Sequence, residues 1–394
     1  MSERMLFDLV LKGGHVVDPA SGRDGISDIG FRDSRVATIA AEIPVESART
    51  TLDVTGKYVV PGLIDMHAHV YSGGTYLSVD AESIAWKSGT TTFIDAGSAG
   101  AGNFEGLKRY VIQESPLHIF SLLNISYAGI YGLGKTVAVG ECGNLELLNI
   151  QECFDTAAAH ADIIKGVKVR AGHHSSDFNG LIPVDLALEA AEMLDLPLMT
   201  HIDLGPPGID DVLNKLRPGD ILTHCFRPFP NAAVRFRSGM IRDAVTKARE
   251  KGVYFDVGHG MGSMSFHVTR SLLEQGFWPD TISSDVSRFS VDGPSFDLLT
   301  TMSKFLCLGM EFGEVIKATT ATPAKILGLN GLGTLEPGSA GDVAVLEIID
   351  GNFEYQDANR PVREKIIGSK QLQVDNVILN GAIWGGVEPN RTQR

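Results

Sequence analysis

Cysteine is scarce: four in 394 residues, at positions 142, 153, 225 and 307. No two have the spacing of a zinc ribbon or a redox motif, so neither is expected. Free buried thiols in a reducing cytoplasm are the expectation. Basic charge is also short, with 34 Lys and Arg against 48 Asp and Glu, a formal net charge of −14. That balance excludes a nucleic-acid partner, which needs a basic face. It does not exclude an anionic substrate, because a metal and one or two arginines reverse a local field. Long apolar runs are missing: none approaches the roughly 20 residues of a membrane-spanning helix. Met1-Ser2-Glu3-Arg4-Met5 runs into a strand-like segment without a leader's apolar stretch or cleavage site. Repeats and low-complexity tracts are absent. What remains, 43% hydrophobic and 21% charged residues, is ordinary for a globular chain long enough for more than one domain.

The two ends share a texture. Short alternating runs at 7–12, 15–18, 28–31 and 35–39 are separated by Gly, Asp and Ser, and similar runs recur at 341–347 and 376–381. This grammar predicts antiparallel strands. Two small independent sheets would each be marginal, so the ends are expected to pair into one β-sandwich of residues 1–60 and 335–394. The middle, 61–334, alternates differently. Apolar strand candidates lie at 63–65, 91–96, 119–126, 163–170, 197–201, 221–224, 254–257 and 281–285. Helical patterns lie between several of them, at 81–87, 184–194 and 240–251, the last stopped by Gly252. Eight strands alternating with helices predict a (β/α)8 TIM barrel. A doubly wound open sheet would prefer a phosphate-cradling glycine turn after its first strand, where this chain has a histidine pair. Segments 101–118 and 227–239 read as longer loops.

Barrel active sites lie at the C-terminal ends of the strands. The first strand ends in His67-Ala68-His69, and the side-chain period of 2 puts both imidazoles on one face. The fifth ends at His201, the sixth at His224 and the eighth at Asp285. One such histidine is unremarkable, but five ligand-type residues at the lip of one barrel point to a metal.

The fourth strand carries lysines of opposite parity, Lys165 and Lys168. With Lys165 inward, Lys168 and Arg170 would be forced among apolar helices, which is very costly. With Lys168 inward, Arg170 joins it near the mouth and the intervening valines face the helices. Parity therefore selects Lys168. Its ammonium cannot ligate a cation. It either pairs with Asp285 or Asp95, or it reacts with CO2 to give a carbamate able to bridge two metals.

The combined pattern resembles the amidohydrolase superfamily of metal-dependent hydrolases, at His67, His69, Lys168, His201, His224 and Asp285. Pro61-Gly62-Leu63-Ile64-Asp65, Thr322-Pro323-Ala324 and a split β-sandwich are also typical of it. The resemblance covers nearly the whole chain. More narrowly, His69-Val70-Tyr71 with Gly73-Gly74, Val167-Lys168-Val169-Arg170 and Asp256-Val257-Gly258-His259-Gly260 resemble the amidohydrolase/deacetylase subgroup. That implies removal of an acyl group, acetyl above all, from a small N-acyl amino acid or O-acyl 2-hydroxy acid.

The resemblance implies two divalent metals, with imidazole ligands favouring Zn2+. His67, His69 and Asp285 would hold one, and His201 and His224 the other, bridged by carboxylated Lys168. The implied nucleophile is a metal-bridging hydroxide, with Asp285 as general base and then acid. Arg170 is the candidate clamp for a substrate carboxylate, and Tyr71, Gly74 and His259 are further candidate substrate contacts. Tyr127 and Tyr131 are weaker ones. Asp95 and Asp256 are candidate supports for ligating imidazoles. A homo-oligomer is expected by the same resemblance. Three other readings stand beside this one. A dihydroorotase or hydantoinase acts on cyclic amides, but dihydroorotases usually carry arginine where this chain has Tyr71. A non-catalytic assembly protein would lack several ligands. A mononuclear deaminase would have a glutamate beside the fifth-strand histidine, where Ile202 and Asp203 stand.

Overall fold

The computed structural model describes residues 5–384; residues 1–4 and 385–394 of the expected end segments lie outside them. Seven parallel strands follow one another in chain order within one sheet: Leu63–Ala68, Thr90–Gly100, His118–Asn124, Ile164–Ala171, Leu198–Ile202, Ile221–Leu222 and Tyr254–Phe255. Residues 281–286 lie between the last strand and the first. Asp256 bridges Thr281 and Ala68 bridges Val286, both parallel. The Asp285 N–H donates to the His67 carbonyl at 2.7 Å, and the His69 N–H to Val286 at 3.0 Å. This is a TIM-barrel-like α/β fold.

Two faces of each strand bury apolar residues, as parallel strands covered by helices require. Ile64, Met66, Ile94, Leu122, Met199 and Ile221 fill the inside with Leu327 and Leu329. Leu63, Val167, Val169, Leu198 and Phe255 point out to the helices. Helix Ile182–Leu194 shows why such segments form. Pro183 opens it, and Val184, Ala187 and Ala191 lie on its buried side at helical spacing. Helix Asp243–Lys251 ends at Gly252, whose φ of 99° suits only glycine readily. No helix among the described residues is long and apolar enough to cross a membrane.

Both ends of the chain meet in a second sheet of eight strands. Tyr58–Pro61 pairs in parallel with Phe7–Asp18 on one side and antiparallel with Val343–Gln356 on the other, stitching the two ends together. The sheet encloses a core of its own, including Leu9, Leu11, Ile29, Phe31, Val343 and Ile378. The runs at 7–12 and 15–18 are one strand, Phe7–Asp18, with a register shift between Leu11 and Gly14. The hairpin of Val343–Gln356 and Lys365–Leu379 extends well beyond the expected runs, because its outer part is largely exposed and lacks an apolar pattern. Cys142, Cys153 and Cys225 are buried and unpaired, whereas Cys307 is only partly buried.

Candidate metal centre

The strand ends converge on one cavity of about 420 Å3 at the barrel mouth. His67, His69, Lys168, His201, His224 and Asp285 all line it, as do Arg170 and Arg227. Asp285 Oδ1 lies 3.5 Å from His67 Nε2 and 3.2 Å from His69 Nε2. The rings of His201 and His224 are 4.5 Å apart at 88°. Ligand atoms of His67, His224 and Asp285 lie within 4.8 Å of one another.

A local irregularity turns the histidine pair inward. Leu63 packs outside, Ile64 and Met66 inside, and Ala68 outside again. The face changes across a register shift between Asp65 and Ala68. That shift brings His67 into the barrel beside Lys168. Two ligands also sit on unusual backbone: His224 has φ 62° and Asp285 φ 46°, left-handed values that cost about 1–3 kcal/mol each in a non-glycine residue.

The far nitrogens of three imidazoles are already engaged. His67 Nδ1 donates to Thr223 Oγ1 at 2.9 Å, and Thr223 donates to Asp256 at 2.7 Å. His69 Nδ1 meets Ser98 Oγ at 2.9 Å. His224 Nδ1 donates to the Gly258 carbonyl at 2.6 Å. Asp256 thus supports His67 through Thr223. Asp95 accepts from the N–H groups of Val70 and Ser98, and orders the chain around His69.

The donor set fits a divalent metal. With Nδ1 donating, His67 and His224 carry their lone pairs on Nε2, which at His67 faces Lys168 Nζ at 3.3 Å, and His201 Nε2 is buried with no hydrogen-bond partner. Burial holds all three of these imidazoles well below their ordinary pKa, so they are neutral, the ligating form. Burial pushes the Asp285 carboxyl up, but the imidazoles and Lys168 outweigh it and hold it below the usual value. Lys168 is fully buried, 3.3 Å from His67 Nε2 and 3.2 Å from Met199 Sδ. Burial lowers its pKa to about 7.

Three expected substrate contacts lie elsewhere. Tyr71 is buried, its ring against Gly74 and its hydroxyl donating to the Asn103 carbonyl at 3.0 Å. Neither Tyr71 nor Gly74 lines the cavity. His259 is fully buried beneath it: Nδ1 donates to the Gly260 carbonyl at 2.9 Å and Nε2 accepts from Lys304 at 2.7 Å. None of the three lines the cavity, and the side-chain polar atoms of Tyr71 and His259 are engaged within the protein. The glycines around His259 are needed for close approach. A Cβ at Gly258 would meet Thr223 Oγ1 at 2.3 Å, and one at Gly260 would meet Asp285 Oδ2 at 2.2 Å. Tyr127 and Tyr131 are exposed and outside the lining.

Two residues escaped the sequence reading. Lys304 is buried, and its ammonium also reaches the carbonyls of Pro294 and Gln356 at 2.7 and 2.8 Å. Its signal was a lone charge in the otherwise uncharged helix Leu298–Cys307. Arg227 stands three positions beyond His224, on the lip, where its neighbours Pro228 and Pro230 read only as a loop.

Comparison with known proteins agrees with this architecture. The Amidohydrolase family matches residues 58–383. The protein named Deacetylase Atu3266, from Agrobacterium fabrum, is 33% identical over 355 residues, covering 88% of this chain and 86% of that one. A crystal structure of an adenine deaminase superposes with a TM-score of 0.88 at 31% identity, covering 96% of this chain and 99% of that one. One of a dihydroorotase gives 0.85 at 28%, again covering 96% and 99%. The family match and the deacetylase relative make this protein a metal-dependent hydrolase. The chain belongs to the amidohydrolase family.

Proposed function

We propose that the chain removes an acyl group, acetyl above all, from a small N-acyl amino acid or O-acyl 2-hydroxy acid. The observation that carries this reading is the convergence of the six ligand-type residues with three arginines, Arg170, Arg227 and Arg360, around one cavity. The named deacetylase relative supports the acyl transfer to water. In this reading residues 61–334 form the catalytic barrel, and 1–60 with 335–394 a β-sandwich that braces it.

His67, His69 and Asp285 would hold one divalent ion, and His201 and His224 a second, with Zn2+ suited to the imidazole-rich set. Such ions, when bound, supply Lewis acidity toward the scissile carbonyl and make water acidic near neutral pH. Lys168, as a carbamate, would help to hold both ions. Its neutral amine, favoured by burial, adds to CO2 through the nitrogen lone pair and loses one N–H proton. Asp285, held ionised, takes the proton of the attacking water and returns it to the leaving nitrogen or oxygen.

The test is turnover by metal-loaded enzyme of N-acetyl amino acids and acetylated 2-hydroxy acids, beside dihydroorotate and hydantoin. Metal analysis and the gain on adding zinc with bicarbonate accompany it. Activity on the open-chain substrates is expected. Turnover of the cyclic amides alone would establish the second reading, which the dihydroorotase structure favours. Against that reading, Tyr71 occupies the usual arginine position and its hydroxyl is tied to Asn103.

A further inference from the structure

Three guanidinium groups line the cavity, and they are not equivalent: Arg360 is exposed to solvent at its rim, with Nη2 3.5 Å from Met261 Sδ, whereas Arg170 and Arg227 lie deeper. Arg170 is already paired: its Nη1 donates to Glu141 Oε2 at 3.3 Å, and the Glu141 side chain is 3% exposed. Its charge is answered within the protein. Arg227 is 9% exposed, and its Nε is buried with no hydrogen-bond partner. No ion pair reaches it among the described residues. Asp203 raises its proton affinity from a distance. The Asp203 carboxylate, however, accepts from Ser175 Oγ at 2.7 Å and from the His174 N–H at 3.1 Å. Burial lowers the Arg227 pKa to about 10, which still leaves it charged at neutral pH.

A buried, charged guanidinium with open donors and no counterion costs several kcal/mol unless something anionic arrives. Arg227 lines a cavity large enough for a small ligand. We infer that Arg227 is the group that grips the substrate's carboxylate, and that Arg170 is a positioning residue locked by Glu141. The apolar side chains of Leu77, Leu133, Phe229, Met261 and Phe289 share the cavity wall. The carboxylate held by Arg227 therefore belongs to an acid with an apolar side chain. This inference rests on the acylated-carboxylate reading above and names its anchor.

The experiment compares N-acetyl-leucine with neutral N-acetyl-leucinamide on the metal-loaded enzyme, in the wild type, Arg227→Met, Arg227→Lys and Arg170→Met. Arg227→Met should lower kcat/KM for the acid about 100-fold, mainly through KM, and change that for the amide less than about 3-fold. Arg227→Lys should recover part of the loss. Arg170→Met should lower both substrates alike. Calorimetric titration with 4-methylpentanoate gives a second readout, and Arg227→Met should weaken its binding at least about 10-fold. Equal losses on acid and amide in Arg227→Met, or a selective loss in Arg170→Met, would overturn the inference. Arg227-dependent binding of 4-methylpentanoate without turnover of any acetylated acid would sink the deacylase reading and leave the arginine site standing. Neither binding nor turnover would remove both.

Discussion

The terminal sheet and the barrel mouth bury the same kinds of charge with opposite outcomes. In the sheet, Asp28 is nearly buried, yet Lys12 and the N–H groups of Gly13 and Ile43 outweigh burial and hold its pKa below normal. Lys57 is likewise pulled down by burial but raised overall by Asp375 and Glu347. At the mouth, burial wins at several groups, though not at Asp285. It lifts Asp65 to about 7 and lowers Lys168 to about 7, and it depresses His67, His201 and His224. The difference lies in partners. Lys12, Asp28 and Lys57 each have a counterion, whereas no ion pair reaches Lys168 or Arg227 among the described residues. Unpaired buried charge of this kind clusters where ligands bind.

The comparison can be broken at several points. The largest effect is expected at Asp285. Asp285→Asn should reduce kcat/KM by at least about 10^3-fold while circular dichroism stays native, since proton transfer from the attacking water is lost. Near-normal turnover would mean that the mouth's charges are structural. The sharpest contrast uses one substitution in two places. Lys168→Met should cost about 10^3-fold in activity yet leave the metal-free protein as stable or up to about 3 kcal/mol more stable, because an unpaired buried cation is removed. Lys12→Met should leave activity within about 2-fold but cost about 2 kcal/mol in urea unfolding, because Asp28 loses its counterion. If both changes shift stability in the same direction, the two regions do not differ as described.

Lys304 joins the regions. Its ammonium links His259, under the mouth, to the carbonyl of Gln356 at the end of a terminal-sheet strand. Lys304→Met should lower kcat about 10-fold through the 258–260 loop, with little change in KM, and cost about 1–3 kcal/mol by leaving three acceptors bare. An unchanged kcat with a large loss of stability would make the link purely structural. The smallest effect concerns pH. Asp28 has a lowered folded pKa, so its contribution is present above the unfolded value of 3.8 and lost as pH falls through the folded one. The stability gap between wild type and Asp28→Asn should therefore be flat from about pH 5 to 8 and shrink below about pH 4. A gap that widened on acidification would reverse the assigned sign.

Much of this division was legible in the chain. The strand candidates ending at His201, His224 and Asp285 lie where barrel strands end, and the ligand types are plain. Periodicity carried that information because it depends on residues next to each other. The partner of His259 was not legible, because a histidine at a strand end looks the same whether its ring meets solvent, substrate or a lysine 45 positions away. The same holds for Tyr71, whose hydroxyl partner, Asn103, comes from a distant turn.

By itself the sequence determined the alternation of strands and helices, the set of metal-type ligands and their order around the mouth, and the parity that puts Lys168 with Arg170. These follow from local backbone geometry. The tertiary structure alone decided which face His67 takes, through a register shift that no residue pattern announces. It alone decided that Glu141 answers Arg170 and that no ion pair among the described residues answers Arg227. Pairing of buried charges depends on which distant side chains arrive within a few ångströms, and residue spacing carries no record of that.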